Sequence, residues 1–164
     1  MATSKSENIA AWMVSALAGI TTGAGYNYTP NGAYRIEKLG IHLLDSAATL
    51  RYFVRHGEDR HEEYATRSWE TQTDYYVTGI YRFDDVNRSE PVLQTGTLPE
   101  TVQNYIAGDI VSLLHGWYAD ATAKSLVDNI VVTLTERDVL ADGFVVVMVH
   151  AIVTWTWRQG VDRP

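Results

Sequence analysis

A chain of 164 residues with 20 acidic against 13 basic side chains and no cysteine is long enough for one domain with its own hydrophobic core. The missing cysteines exclude disulfides, thiolate nucleophiles and cysteine-ligated zinc. A formal net charge of −7 argues against the basic stripe by which proteins grip a phosphate backbone. Nucleic acid, if met, is not expected to be held.

No run approaches the roughly 20 apolar residues of a membrane span, so a soluble protein without a membrane partner is expected. Ten tyrosines and five tryptophans add weight to an assembly protein, because such side chains are large, apolar and tipped with a hydrogen-bonding group.

The first element is a helix. Ile9, Trp12, Met13, Ala16, Leu17 and Ile20 recur at helical spacing, and Ser4 with Glu7 has capping-box spacing. This predicts a helix over roughly residues 5 to 18, an amphipathic element rather than a signal peptide, ended by Gly19, Gly23 and Gly25. In residues 21 to 48, "YNYTPNG" is turn chemistry and "AYRIEKL" alternates like a short strand, while "GIHLLDSAAT" has no clean period.

Two β-type runs follow, "TLRYFVRH" and "SWETQTDYYVTGIYRF". In the second, Trp69, Thr71, Thr73, Tyr75, Val77, Gly79, Tyr81 and Phe83 would share one face. The residues between them, 57 to 66, read as a mobile loop of a long hairpin. A polar linker, "DDVNRSEPVLQTG", leads to a second helix in "TLPETVQNYIAGDIVSLLHGW". Thr97 and Glu100 have capping-box spacing, Pro99 falls in the first turn and Gly116 marks the stop.

Its apolar stripe is Val102, Ile106, Ile110, Leu113, Leu114 and Trp117, with Glu100, Gln103, Asn104 and Ser112 facing away. Two strands, "DNIVVTLTER" and "GFVVVMVHAIVTWTW", close the chain around an Asp142-Gly143 turn. The last is apolar on both faces from Phe144 to Val153, as a central strand covered on two sides would be. The order predicts a single α+β domain over residues 1 to 164, with an antiparallel, mostly four-stranded sheet and helices on one face. The other face is left for a further cover, such as a neighbouring subunit.

The densest chemistry is "HGEDRHEEY", His56 to Tyr64. Its histidines are five apart on a loop, a spacing that matches no metal-binding template, and Arg55 and Arg60 intrude. A solvated or partner-contacting loop is the preferred reading. A small metal-dependent enzyme using His56, His61 and nearby carboxylates is the alternative. His42, His115 and His150 are dispersed, and His150 reads as a hydrogen-bonded core or interface histidine. Asp109 reads as a paired or hydrated acid at the edge of the helical stripe. The aromatic set Trp69, Tyr75, Tyr76, Tyr81, Trp155 and Trp157 lacks the interleaved cations of a base-stacking platform and reads as core and interface. No nucleotide-binding or nucleophile-elbow motif occurs, so neither catalytic residues nor cofactors are expected.

The helix "NIAAWMVSALAGI", the hairpin "TLRYFVRHG…SWETQTDYYVTGIYRF", the helix "TLPETVQNYIAGDIVSLLHG" and the strands "VVTLTERDVLADGFVVVMVHAIVTWTW" together resemble the bacteriophage tail terminators, also called tail completion proteins or the minor tail protein U family. The resemblance is one of arrangement and composition from Asn8 to Trp157, without a signature motif, and the stretch around 26 to 48 lies outside it. It implies a ring-forming subunit, typically a hexamer, at the head-proximal end of the tail tube in the virion, assembled in the host cytoplasm. There it would stop tube polymerisation and offer a joining surface to the head.

The implied partners are copies of itself, the tail tube protein and a neck or head-completion protein, with DNA passing through without sequence-specific binding. An acidic lumen would repel phosphates, with Asp109, Asp120 and Asp128 as candidates. Ring closure would cover open sheet edges by head-to-tail contacts. On this reading His56, Glu58, Asp59, Arg60, His61, Glu62, Glu63 and Arg67 form a partner-contacting rim loop. A neck or head-tail connector is the neighbouring alternative, which the long 21 to 48 segment favours.

Overall fold

The computed structural model describes residues 4–40, 43–44, 49–65, 68–82, 99–140 and 143–158. Helix α1 spans Lys5–Ala18, as its periodicity predicts. The Ser4 hydroxyl accepts the Glu7 N–H at 3.2 Å, satisfying one of the donors that a helix start leaves open. At the other end Gly19 returns its N–H to the last turn. The buried stripe of α1 is Ile9, Ala10, Trp12, Met13 and Leu17. Each fully buried side chain of that size contributes roughly 1.5–3 kcal/mol.

Five strands form one open sheet among the described residues, in the order β1-β2-β3-β5-β4. They are β1 (Ala33–Ile36), β2 (Leu50–Ala65), β3 (Ser68–Arg82), β4 (Asn129–Leu140) and β5 (Phe144–Arg158). Three of the pairings are antiparallel. The sheet is not purely antiparallel as expected, because β1 lies parallel to β2. A parallel neighbour demands a crossover connection, so the chain crosses the sheet between Ile36 and Leu50.

Helix α2 (Pro99–His115) and the short α3 (Ala121–Leu126) join α1 on one face. Val102, Ile106, Ile110 and Leu114 are fully buried there against Tyr52, Val54, Tyr75, Val77, Val145, Val147, Val149, Ala151, Val153 and Trp155. Gly79 permits the close approach, since a Cβ at that position would lie 2.6 Å from Ile106 Cγ2. Gln103, expected on the wet side of α2, is buried instead. Its amide donates to the Asp138 carbonyl at 2.9 Å, so polarity marked a hydrogen bond rather than exposure. Helix α3 carried no apolar period of its own in the sequence and is held by its Asp120 cap.

On the opposite face a smaller cluster of Phe53, Ile80 and Phe144 is covered by Leu43 and Leu44 of the crossover, with Ile36, Leu140 and Val146 beside them. The turn before β5 uses Gly143 at φ 79°. Thr97 and Phe83, assigned to a cap and to a strand face, lie outside the described residues.

Candidate interface on the hairpin arm and the open sheet face

The segment expected to be a loop from 57 to 66 is strand as far as it is described: β2 runs through Ala65 and β3 resumes at Ser68. Pairing continues from His56↔Tyr75 to Ala65↔Ser68, interrupted by register shifts between His56 and Asp59 and between Glu63 and Ala65. Sequence patterning missed this because the arm reaches past most of the apolar cover, where polar residues stand on both faces and no hydrophobic alternation remains. Arg67 lies outside the described residues.

The bulge at Gly57 and Glu58 sets which side each remaining residue faces. It stands opposite Asp74, and a Cβ at Gly57 would come within 2.9 Å of both Asp74 Cβ and Tyr76 Cε2. Glycine is therefore required by proximity. Beyond the bulge Asp59 pairs with Thr73, His61 with Thr71 and Glu63 with Trp69, on the helix side. Arg60 pairs with Gln72 and Glu62 with Glu70 on the other. The charged cluster is thus divided between two faces.

On the helix side a hydrogen-bond chain crosses three strands. Trp155 Nε1 donates to Thr73 Oγ1 at 2.9 Å, and the Thr73 hydroxyl donates to Asp59 Oδ1 at 2.6 Å. His56 Nε2 meets the same oxygen at 3.2 Å. His61 Nδ1 lies 2.8 Å from Thr71 Oγ1, and the His56 ring stands edge-on to Tyr75. The Tyr75 hydroxyl donates to the Ser6 carbonyl at 2.8 Å, and burial pushes its phenol well above the ordinary tyrosine range. These bonds tie the arm to the start of α1. Glu7 of that helix pairs with Arg35 of β1, whose guanidinium holds the Glu7 carboxyl below its usual range.

The open side holds a second network. Asp74, 4% exposed, accepts from Arg60 Nη2 at 2.6 Å through one oxygen and meets His150 Nε2 at 3.0 Å through the other. His150 Nδ1 lies 2.7 Å from Thr133 Oγ1. Since the carboxylate only accepts, Nε2 carries the proton toward it. One register rung then aligns Arg55, Tyr76 and His150. Tyr76 stacks on His150 with centroids 4.7 Å apart, and Arg55 Cζ sits 4.3 Å over the Tyr76 ring. A cation therefore does stand among the aromatics. The ring faces in that stack are already occupied by one another, whereas Tyr75 and Trp155 are fully buried.

Charge is unevenly placed across this face. Arg51 and Arg55 stand on β2, next to the β1 edge, while Glu136 and Asp138 stand on the outermost strand β4. The two acids line an open cleft of about 590 Å³ together with Leu39, Arg137, Val146 and Met148. Exposed apolar side chains mark both edges, Tyr34 on β1 and Val131 and Val139 on β4.

Among the described residues no group of three or more His, Asp or Glu converges as a metal-ligand set. The acids considered for a lumen serve local structure. Asp109, buried, accepts the N–H groups of Asn27 and Tyr28 and the Asn27 side-chain amide, anchoring the 26–28 turn to α2. Burial pushes the neighbouring Tyr28 phenol up to about 12. Asp120 caps α3 through the Ala123 N–H at 2.9 Å, which lowers its carboxyl pKa. Asp128 accepts the Thr156 hydroxyl. No protein-family model matches the chain, and a search of the curated proteins found no match.

Proposed function

We propose that this chain is a ring-forming virion subunit of the tail-terminator type, capping the head-proximal end of a phage tail tube and presenting a joining surface to the head or neck. The observation that carries the reading is an unfinished sheet. Among the described residues its helices lie on one face, the other face is only partly covered by Leu43 and Leu44, and a long β2–β3 hairpin, flanked along β3 by β5, carries charges on both of its sides. Such an arm, braced by the Trp155-Thr73-Asp59 chain, suits a rim contact. Its exposed side chains are Glu58, Asp59, Arg60, His61, Glu62 and Glu63. An acidic chain, here −7, suits a conduit through which DNA slides without being held.

The test joins mass to activity. Light scattering behind a sizing column should give a closed species near six times 18.4 kDa, and adding the protein to polymerising tail tube protein should stop elongation. A monomer that leaves tube length unchanged at every concentration would sink the proposal. Binding to isolated heads with no effect on tubes would transfer it to a neck or connector protein.

A further inference from the structure

We infer that the two edges of the sheet are a matched pair: β4 of one copy docks beside β1 of the next, continuing the sheet from subunit to subunit. The inference deepens the ring reading and rests on it only for closure, since edge docking is a property of the chain itself.

Three observations carry it. The first is direction. β1 runs with β2, and each later pairing reverses the chain, so β1 and β4 point oppositely at the two ends of the sheet. A second copy placed alongside in the same orientation therefore meets β4 with an antiparallel β1, the more favourable ladder. Among the described residues neither strand has a second neighbour, and an unpaired edge is a row of open donors and acceptors. Gln103 closes one carbonyl of the β4 edge, at Asp138.

The second is apolar exposure at both edges. Tyr34 is 44% exposed, Val131 47% and Val139 50%. On β4 the two valines flank the exposed charged run Glu136 to Asp138, so this edge offers apolar surface as well as charge to a covering strand.

The third is charge, and it selects which edges meet. Glu136 and Asp138 stand on β4, while Arg51 and Arg55 stand on β2, one strand in from the other edge. The Arg55 Nε is buried without a hydrogen-bond partner, leaving an open donor beside the Tyr76 ring. Pairing β4 with β4 in a two-fold dimer brings acid toward acid. Pairing β4 with β1 brings Glu136 and Asp138 within two strand spacings, about 10 Å between backbones, of the arginines. Glutamate and arginine side chains span that gap. A contact between two different edges is heterologous and repeats until it closes.

The absence of cysteine makes the test direct. Single variants Tyr34→Cys, Val131→Cys and Val139→Cys, each checked for a native circular dichroism spectrum, are treated with a short bis-maleimide alone and in mixtures. Cross-linked dimers are expected in the mixture of Tyr34→Cys with Val131→Cys, which share the open face, with less product from Val139→Cys on the helix face and little from any variant alone. The double variant Tyr34→Cys/Val131→Cys should give a ladder of covalent oligomers. A β4 variant that cross-links efficiently by itself overturns the inference in favour of a two-fold dimer, and a monomeric chain with no cross-linking overturns it outright. A hexamer by mass without Tyr34 cross-links would remove this interface and leave the ring reading standing. Cross-links without tube capping would do the reverse.

Discussion

The same strands present two faces that are built on different chemistry. Against the helices, Val145, Val147, Val149, Ala151, Val153 and Trp155 of β5 are all fully buried in a continuous apolar layer. On the opposite face the alternate residues Val146, Met148, His150, Ile152 and Thr154 are only half-buried, and order comes from the Asp74-His150-Arg60 bonds and the Arg55-Tyr76-His150 stack. One face thus resists change through packing, which is volume-sensitive, and the other through directional bonds, which are charge-sensitive. The difference teaches where stability and recognition are separable. Substitutions on the helix face should be felt as unfolding, and substitutions on the open face mostly as altered association.

The largest effect should come from Trp155→Ala, which removes the largest fully buried side chain and the bond to Thr73. A loss of about 3–5 kcal/mol is expected in urea unfolding. Asp74→Ala should cost less, about 1–3 kcal/mol, because Arg60 is half-exposed and recovers water. It should also release the His150 ring from Tyr76, visible as a shift of its imidazole resonances. Gly79→Ala probes the helix face from the other direction. Its added methyl meets Ile106 and Tyr52, and overpacking should lower stability by roughly 1–3 kcal/mol.

Much of the helix face was legible in the sequence, because burial on one side leaves a period. The bounds of α1, the stripe of α2 and the central place of β5 followed from Ile9 to Leu17, Val102 to Leu114 and the run after Phe144. The open face was not legible. Asp74, Tyr76, His150 and Arg55 are scattered over β2, β3 and β5 and meet only through register, which local patterning does not carry. The arm was mistaken for a loop for a related reason: threonines 71 and 73 are its inward positions, and they are polar. β1 was legible as the alternation of "AYRIEKL", but its parallel direction was not, because four residues of alternation carry no orientation.

Smaller effects sharpen the contrast. Asp120→Ala removes the cap of α3 and should cost about 1 kcal/mol at neutral pH. The folded Asp120 carboxyl lies below its ordinary value. Its contribution is therefore present above the unfolded value near 4 and fades as pH falls through the folded one. The gap between wild type and variant should narrow in acid, as thermal melts at pH 7 and pH 3 would reveal. Smallest of all, Glu62→Lys should raise stability by about 0.2–1 kcal/mol, since Glu62 and Glu70 stand directly opposite as like charges. A gain there on the arm, with weaker joining to a partner, would mark that repulsion as kept for recognition.

The bulge at Gly57 and Glu58 also fixes the arm's facing by parity. Two residues there stand opposite the single Asp74, so His56 and Asp59, three positions apart, both face the helices. Deleting either bulge residue would leave one residue opposite Asp74 and return the strand to plain alternation, with Asp59, His61 and Glu63 still on the helix side and Arg60 and Glu62 still on the other. The two coats of the arm are therefore insured against the loss of one codon at its hinge.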